Sequence, residues 1–216
     1  MKMKDLALAQ VRRGERFTLD GVGFVKLEDD LDAAFAVAAD TLPECCQFED
    51  DDAEREDHNN YAGSLLSKSV ERWLRDKHPA IFSAVVERPI DLTTMDGMTD
   101  YGKPLAVVRA LTIDEYRKHR SILPLTSKPY WLATGWTTNS SPYSSADSAY
   151  CIVADGSVYS YSVYGAYFAP RPALYLKSSI LVSVETEDEG KALADYSDTD
   201  LHDELYRRRR STHDPD

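Results

Sequence analysis

Residues 130–177 constrain the fold most, because this stretch is rich in aromatic and small polar residues and nearly free of charge. It contains most of the chain's thirteen tyrosines, interleaved with Ser, Ala, Asn and Gly, whereas 29% of the whole chain is charged. Tyrosine offers a large, rigid contact area at low entropic cost, which is typical of a recognition surface. Alternating Tyr and Ser are also ordinary strand residues. The composition therefore leaves both a scaffold and a ligand-binding face open.

Local signals in this stretch predict a small antiparallel sheet. Residues 149–154 are an apolar run, Asp155-Gly156 is a two-residue turn of the kind that takes positive φ, and residues 157–163 alternate, so together they indicate a β-hairpin. We expect the sheet to begin at residues 130–132 and to close with residues 171–177, where the neighbouring prolines restrict the strand to a start or an edge.

Three motifs in the stretch resemble those of one protein family. The chain carries YWL at residues 130–132, VADGSV at 153–158 and RPAL at 171–174. This order resembles a family of unknown function, common in gut bacteria and their phages, whose members carry WWLRSP, NSDGSV and GVRPAL. The chain departs from the family at residues 133–135, where Ala-Thr-Gly replaces Arg-Ser-Pro, and at residues 169–170, where Ala-Pro replaces Gly-Val.

The resemblance covers residues 14–179 and implies a C-type-lectin-like fold. That fold is shared by formylglycine-generating-enzyme domains and by the variable proteins of diversity-generating retroelements. The resemblance implies an α+β class with small antiparallel sheets, two short helices and long loops. We therefore expect a polar leader at residues 1–13, a C-type-lectin-like domain at 14–184, and an acidic and basic, disordered tail at 185–216.

The first half of the chain shows mixed strand and helix signals. Residues 15–27 alternate around a turn and predict a hairpin, whereas residues 33–41 fit helix or strand on periodicity alone, and the resemblance favours a strand. A helix is predicted from one apolar face and a Ser64 or Ser67 cap; its face residues are Leu66, Val70, Trp73, Leu74 and Lys77.

Signals between residues 81 and 120 are mostly local. We predict a short apolar turn at 81–86, a surface loop at 91–103 and a strand at 105–111. Thr112 and Glu115 form a capping box that opens a second helix, which should end near Arg120.

Net charge and composition limit the classes of partner that the chain could bind. A net charge of −12 and a pI near 4.8 argue against nucleic acid and anionic membrane as partners, because both require a basic surface. The basic run at residues 207–210 lies among acids and is interpreted as a solvated terminus. Neither a membrane span nor a signal peptide is recognisable, so we expect a cytoplasmic protein or a component of a phage virion.

No catalytic, metal or cofactor site is predicted. The acidic run at residues 49–58 lacks the glycine and the closing glutamate of a known calcium loop, so an exposed loop is favoured over calcium binding. The five histidines lie outside the tyrosine-rich stretch, and there is neither a phosphate loop nor a nucleophile elbow. Formylglycine-generating enzymes depend on cysteines near the carboxyl end of the domain, where this chain has only Cys151.

The leading hypothesis is a non-catalytic module, encoded by a phage or prophage and a candidate target of a retroelement, that holds a protein or glycan. Strand alternation predicts that Val158, Ser160 and Ser162 face inward with Ile152 and Leu174, so that Tyr159 and Tyr161 face outward. The predicted ligand-contact residues are Trp136, Asn139, Tyr143, Tyr159, Tyr161, Tyr164 and Tyr167.

Four residues are predicted to serve the scaffold, namely Trp73, Trp131, Gly156 and Arg171. Arg171 is the only cation between Lys128 and Lys177. We expect its guanidinium to be held against an acid or backbone carbonyls inside the fold. Two other hypotheses remain: a phage structural or assembly protein whose aromatic stretch packs on another subunit, and an enzyme with an unrecognised site. An oligomer is compatible with each of them.

Overall fold

A computed structural model describes residues 2–142 and 146–186, in which residues 5–184 form one compact unit. The described residues 2–4 and 185–186 belong to a second unit. The strands are β1 (Lys2–Ala7), β2 (Arg16–Leu19), β3 (Val22–Asp30), β4 (Ala33–Ala38), β5 (Val85–Val86), β6 (Arg88–Pro89), β7 (Leu105–Ala106), β8 (Tyr130–Gly135), β9 (Ser148–Ile152), β10 (Val158–Ser162), β11 (Ala173–Lys177) and β12 (Leu181–Thr186). The helices are a 3₁₀ turn (Leu8–Gln10), α1 (Leu65–Lys77), α2 (Pro79–Ala84) and α3 (Ile113–His119).

The larger sheet has seven strands in the order β1-β12-β2-β3-β4-β11-β5. Its central strand β4 is buried along its whole length, and it pairs antiparallel with β3 and β11. This confirms the strand predicted within residues 33–41. One face of the sheet packs on α1 and α2 through a core that includes Phe24, Val70, Leu74, Ile81 and Leu174.

The smaller sheet has three antiparallel strands in the order β10-β9-β8. Alternation along β9 sends Ala149 and Cys151 to a core around Trp131, and Tyr150 and Ile152 to a core around Leu132. The class is therefore α+β, as predicted, with mostly antiparallel sheets and few short helices. The expectation of small sheets is wrong for the seven-stranded sheet, and the described residues contain three α-helices rather than two. Within the described residues, no helix has the length and apolar character needed to cross a membrane.

The local helix signals are confirmed. Ser64 accepts a hydrogen bond from the Ser67 amide at 3.0 Å and caps α1. Thr112 accepts from the Glu115 amide at 3.2 Å, while the Glu115 carboxylate accepts from the Thr112 amide at 2.9 Å. These two bonds complete the predicted capping box, and α3 ends at His119.

The prediction of a polar leader ending at residue 13 is wrong for the residues that precede the first hairpin. Leu8 and Val11 are buried in the core of the larger sheet. The buried ammonium of Lys26 donates to the carbonyls of Leu8 at 3.1 Å and Val11 at 2.8 Å. A charged side chain thus fastens this segment to the domain, because burial leaves its donors no water to bind.

Several other boundaries differ from prediction. Residues 81–86 are not a turn, because they belong to α2 and β5. Pro79 is the first residue of α2, where its missing N–H costs no hydrogen bond of the helix. The expected strand at 105–111 is reduced to β7 and an isolated bridge between Arg109 and Ala173. The loop at 91–103 is not wholly on the surface, since Leu92 and Tyr101 are buried.

The hairpin is present, but its turn is longer than two residues. The strands β9 and β10 are joined by residues 153–157, and of the turn pair only Gly156, at φ 80°, adopts a positive φ. At the carboxyl end, β12 extends to Thr186, so the strand continues past the predicted start of the tail. The rest of the predicted tail, residues 187–216, lies outside the described residues.

Candidate ligand-binding surface

Three tyrosines of the predicted set stand exposed on one side of the smaller sheet. Tyr159 is 58% exposed, Tyr161 45% and Tyr167 64%. The rings of Tyr161 and Tyr167 meet edge to face with centroids 5.6 Å apart, and Tyr161 rests 5.4 Å from the ring of Phe168, which is buried. We call Tyr159, Tyr161 and Tyr167 the tyrosine face. Its exposed rings confirm the expected outward direction of Tyr159 and Tyr161.

The β9–β10 register and Gly165 together position the rings of the tyrosine face. Tyr159 pairs with Cys151 and Tyr161 pairs with Ala149 across the β9–β10 ladder, so both rings project from the same side of the sheet. A Cβ atom at Gly165 would lie 2.9 Å from Tyr161 Cε1 and 3.0 Å from Tyr167 Cδ2. Only a glycine therefore allows the two rings to approach as they do.

The predicted inward set is confirmed for Val158 and Ile152 but is wrong for Ser160 and Ser162 and for the grouping of Leu174 with them. Ser160 and Ser162 are exposed, because β10 is the edge strand of its sheet and projects beyond the cores on both faces. Val158 is half-buried against the core around Leu132. Leu174 lies in β11, which belongs to the larger sheet.

Trp136 lies on the opposite side of the smaller sheet from the tyrosine face. Its ring stacks on Tyr150 with centroids 5.7 Å apart, and it is 43% exposed. Tyr150 pairs with Ser160, whose side chain alternates with those of Tyr159 and Tyr161. Trp136 therefore lies apart from the tyrosine face, although both belong to the predicted set of ligand-contact residues.

Asn139 and Tyr164 contact the acidic loop. Asn139 Nδ2 donates to the carbonyl of Glu56 and to Asp57 Oδ1, both at 3.0 Å. Tyr164 is half-buried, and its hydroxyl forms a hydrogen bond with Nδ1 of His58. Burial, together with neighbouring carboxylates, raises the pKa of Tyr164. Tyr143, the remaining predicted contact residue, lies outside the described residues.

The scaffold residues occupy the interior in different ways. Trp131 is fully buried, and its Nε1 donates to the carbonyl of Cys46 at 2.9 Å. Trp73 is only half-buried at the margin of the α1 core, beside the ring of His78. The carbonyl of Gly156 accepts a hydrogen bond from the Tyr116 hydroxyl at 2.6 Å, which ties the hairpin turn to α3.

Arg171 is buried, with 1% of its surface exposed. Its guanidinium donates to the carbonyls of Ala38 at 3.0 Å, Ala39 at 3.3 Å and Pro124 at 3.4 Å. The expectation that carbonyls would hold it inside the fold is confirmed. Burial lowers the pKa of Arg171, so these dipoles have to stabilise the charge that water would otherwise stabilise.

Two polar residues that the sequence did not single out position the loops near this sheet. Asn59 is fully buried; its Nδ2 donates to the carbonyls of Thr137 and Ser148, each at 2.9 Å, and its Oδ1 accepts from the Tyr101 hydroxyl at 2.6 Å. An Asn directly after an acidic run carried no distinguishing signal, because such runs are usually solvated.

Asp96 is the second of these residues. Its carboxylate accepts hydrogen bonds from the hydroxyls of Thr94 and Thr137 at 2.6 Å and of Ser141 at 2.8 Å. Desolvation of the Asp96 carboxylate opposes ionisation, but the three hydroxyl donors outweigh it and lower the pKa of Asp96 to about 2. This carboxylate therefore joins the loop at 91–103 to the loop that follows β8.

The described residues offer few groups for catalysis or metal binding. Burial raises the pKa of the thiols of Cys46 and Cys151 to about 12, which leaves them protonated and poorly nucleophilic. The carboxylates of Asp50, Asp51 and Asp52 are exposed and lie within 4.8 Å of one another. They are the group in the described part of the chain that could hold a cation, although exposed acids are usual without one.

A comparison with models of known protein families found no match, and searches of curated proteins and of solved structures also found none.

Proposed function

We propose that the chain is a non-catalytic ligand-binding module with a C-type-lectin-like fold, which holds a protein or a glycan on the tyrosine face. The observation that carries this proposal is the exposed edge-to-face pair of Tyr161 and Tyr167 over Phe168. Exposed aromatic clusters are uncommon on proteins without a partner, because removing apolar ring surface from water is favourable.

The chemistry of the face suits either class of ligand. Each ring offers a rigid apolar surface, and each hydroxyl offers a hydrogen bond, so a tyrosine can contact a peptide or a sugar with little loss of entropy. Neither Tyr159, Tyr161 nor Tyr167 is followed or preceded by a charged residue. Affinity would then rest on contact area and hydrogen bonds more than on ion pairs.

Two features support the C-type-lectin-like assignment and the absence of catalysis. Antiparallel sheets joined by long loops agree with the fold that the motif order implies, and the RPAL segment places its Arg171 in the core. The thiols of half-buried Cys46 and buried Cys151 lack the low pKa that a catalytic cysteine needs. Phage or prophage origin belongs to the same proposal. A neighbouring reverse transcriptase gene with a template repeat of this stretch would support diversified binding.

The proposal is tested by screening the full chain on a glycan array and by affinity capture from a host lysate. Tyr161→Ser with Tyr167→Ser should remove the signals that the wild-type chain gives. Gly165→Ala should weaken them without changing a contact residue, because the added methyl pushes the two rings apart. Two controls should bind normally: Gly23→Ala, where a Cβ meets its nearest atom at 3.6 Å, and Trp136→Ala on the opposite side. Full binding by the double variant would refute the proposal.

A further inference from the structure

The free edge of β10 is open to pairing. Its inner neighbour β9 pairs with it, and β8 lies on the far side of the same sheet. The outer edge of β8 is covered, since the backbone amide of Trp131 donates to the carbonyl of Ala169 at 3.3 Å and the amide of Ala133 donates to the carbonyl of Leu111 at 2.8 Å. Within the described residues, β10 is the strand of this sheet whose outer edge has no neighbour.

The ladder shows which backbone groups point to that edge. Val153 donates to the carbonyl of Ser157 at 3.0 Å, and Val163 donates to the carbonyl of Asp147 at 2.9 Å. Hydrogen-bonded and non-bonded pairs alternate along an antiparallel ladder. The backbone groups of Tyr159 and Tyr161, which lie two and four residues after Ser157, therefore form hydrogen bonds with β9. Val158, Ser160 and Ser162 therefore direct their N–H and C=O groups away from β9. Of these groups, the carbonyl of Ser162 accepts from the Gly165 amide at 3.1 Å, and in the described structure the backbone of Ser160 has no partner.

The usual protections of an edge strand are missing from β10. Natural edges carry lysine, proline or a bulge that blocks pairing with another chain. The strand reads Val-Tyr-Ser-Tyr-Ser, without charge or proline, and its register with β9 is continuous. A molecule with a net charge of −12 repels its own copies, yet this strand lets two copies meet without placing charges opposite each other.

The sequence of β10 is nearly symmetric about Ser160, with Tyr159 on one side and Tyr161 on the other. We propose that two copies of the chain pair antiparallel along β10, with the two Ser160 residues opposite each other on a two-fold axis. The Ser160 backbones then form a hydrogen-bonded pair, and the Ser162 amide of one copy donates to the Val158 carbonyl of the other. Such self-complementarity fits a second copy better than an unrelated strand.

The same register places Tyr159 of one copy opposite Tyr161 of the other. These are non-bonded pairs, in which side chains come closest, and aromatic pairs across strands are favourable. The result is one six-stranded sheet with four tyrosines in a row on one side. Pairing along the β10 edge leaves the tyrosine face of each copy exposed to solvent. The dimer would therefore present two tyrosine faces side by side, and this holds for any ligand that they bind.

The test is sedimentation velocity on the full chain from about 1 to about 500 µM, because an interface built on one strand is expected to be weak. The wild type should form dimers across this range, and more of them at high salt, which screens the repulsion between copies. Ser160→Pro should weaken dimerisation at least about tenfold, since proline removes the edge N–H but no bond of the monomer. Ser160→Ala keeps the N–H and should dimerise like the wild type.

A second variant guards against misfolding of Ser160→Pro. Ser160→Lys would place two like charges opposite each other on the axis and should also prevent dimerisation. Circular dichroism verifies that each variant is folded. A wild-type chain that stays monomeric at the highest concentration would overturn the proposal. Dimers of Ser160→Lys as strong as those of the wild type would also overturn it, because another surface would then hold the two copies together.

Discussion

The guanidinium of Arg171 donates from Nη1 to the phenol oxygen of Tyr130 at 3.0 Å, and its central carbon lies 4.9 Å from the centre of the same ring. This contact joins the segment before β11 to the first strand of the smaller sheet. The other donors of Arg171 reach the end of β4 and the loop before β8. One buried side chain thus links three segments that are far apart in sequence.

Arg171→Ala should lower the free energy of unfolding by about 3 kcal/mol or more, because it leaves buried carbonyls unpaired and opens a cavity. Arg120→Ala is the matched control, since Arg120 is exposed, and it should cost less than about 0.5 kcal/mol. Urea denaturation of both variants measures the difference. Equal losses in the two variants would show that the buried contacts of Arg171 contribute nothing to stability.

Asp96 should make stability depend on pH in the acid range. Its pKa is lowered from 3.8 to about 2, so the unfolded chain binds this proton more tightly than the folded chain does. The stability that ionised Asp96 contributes is therefore complete above pH 3.8 and is lost as the pH falls toward about 2. Asp96→Asn should reduce this acid slope in urea denaturation, and an unchanged slope would contradict the assignment.

Thr137→Val offers an independent check on the same carboxylate. It removes a hydroxyl that donates to Asp96 at 2.6 Å while keeping the size of the side chain. The pKa of Asp96 should rise toward its ordinary value, because one of its three donors is lost. Carbon-detected NMR titration of the Asp96 carboxyl measures this shift directly.

His119 should make the stability of the fold depend on pH in a second, higher pH range. It is fully buried, and its Nε2 has no hydrogen-bond partner among the described residues. Burial lowers the pKa of His119 despite the nearby Glu28 carboxylate. The neutral form is favoured in the folded state, so stability is full above the ordinary histidine pKa near 6.5 and declines as the pH falls below it. Replacing His119 with Gln should reduce this decline between pH 7.5 and 5.5. An identical decline in the variant would assign it to other groups.

Elements set by neighbouring residues were predictable from the sequence. The capping box of Thr112 and Glu115 closes within a single turn, and the β9–β10 hairpin depends on alternation around Gly156. The outward direction of Tyr159 and Tyr161 is confirmed, although the premise that Ser160 and Ser162 face inward is wrong. In each case the decisive contacts lie within a few residues along the chain, where periodicity and turn chemistry are informative.

Features set by distant contacts were not predictable. Asn59 bonds to Ser148 across 89 positions, and the buried ammonium of Lys26 donates to the carbonyls of Leu8 and Val11, which lie 18 and 15 positions away. Polar residues such as these are usually exposed, so only the tertiary structure reveals their burial. The separation of Trp136 from the tyrosine face depends likewise on strand register, which composition does not specify.

The central claim is that the rings of the tyrosine face serve a partner and not the core. It is tested most directly by making Tyr159→Ala with Tyr161→Ala and measuring two quantities on one preparation: the free energy of unfolding, and affinity for whichever ligand the glycan array or the lysate capture provides. The account predicts a change in stability below about 1 kcal/mol and a loss of affinity of at least about tenfold. Truncating buried aromatic rings typically costs about 3 to 5 kcal/mol each. Loss of folding on that scale, or unchanged affinity in a folded variant, would contradict it.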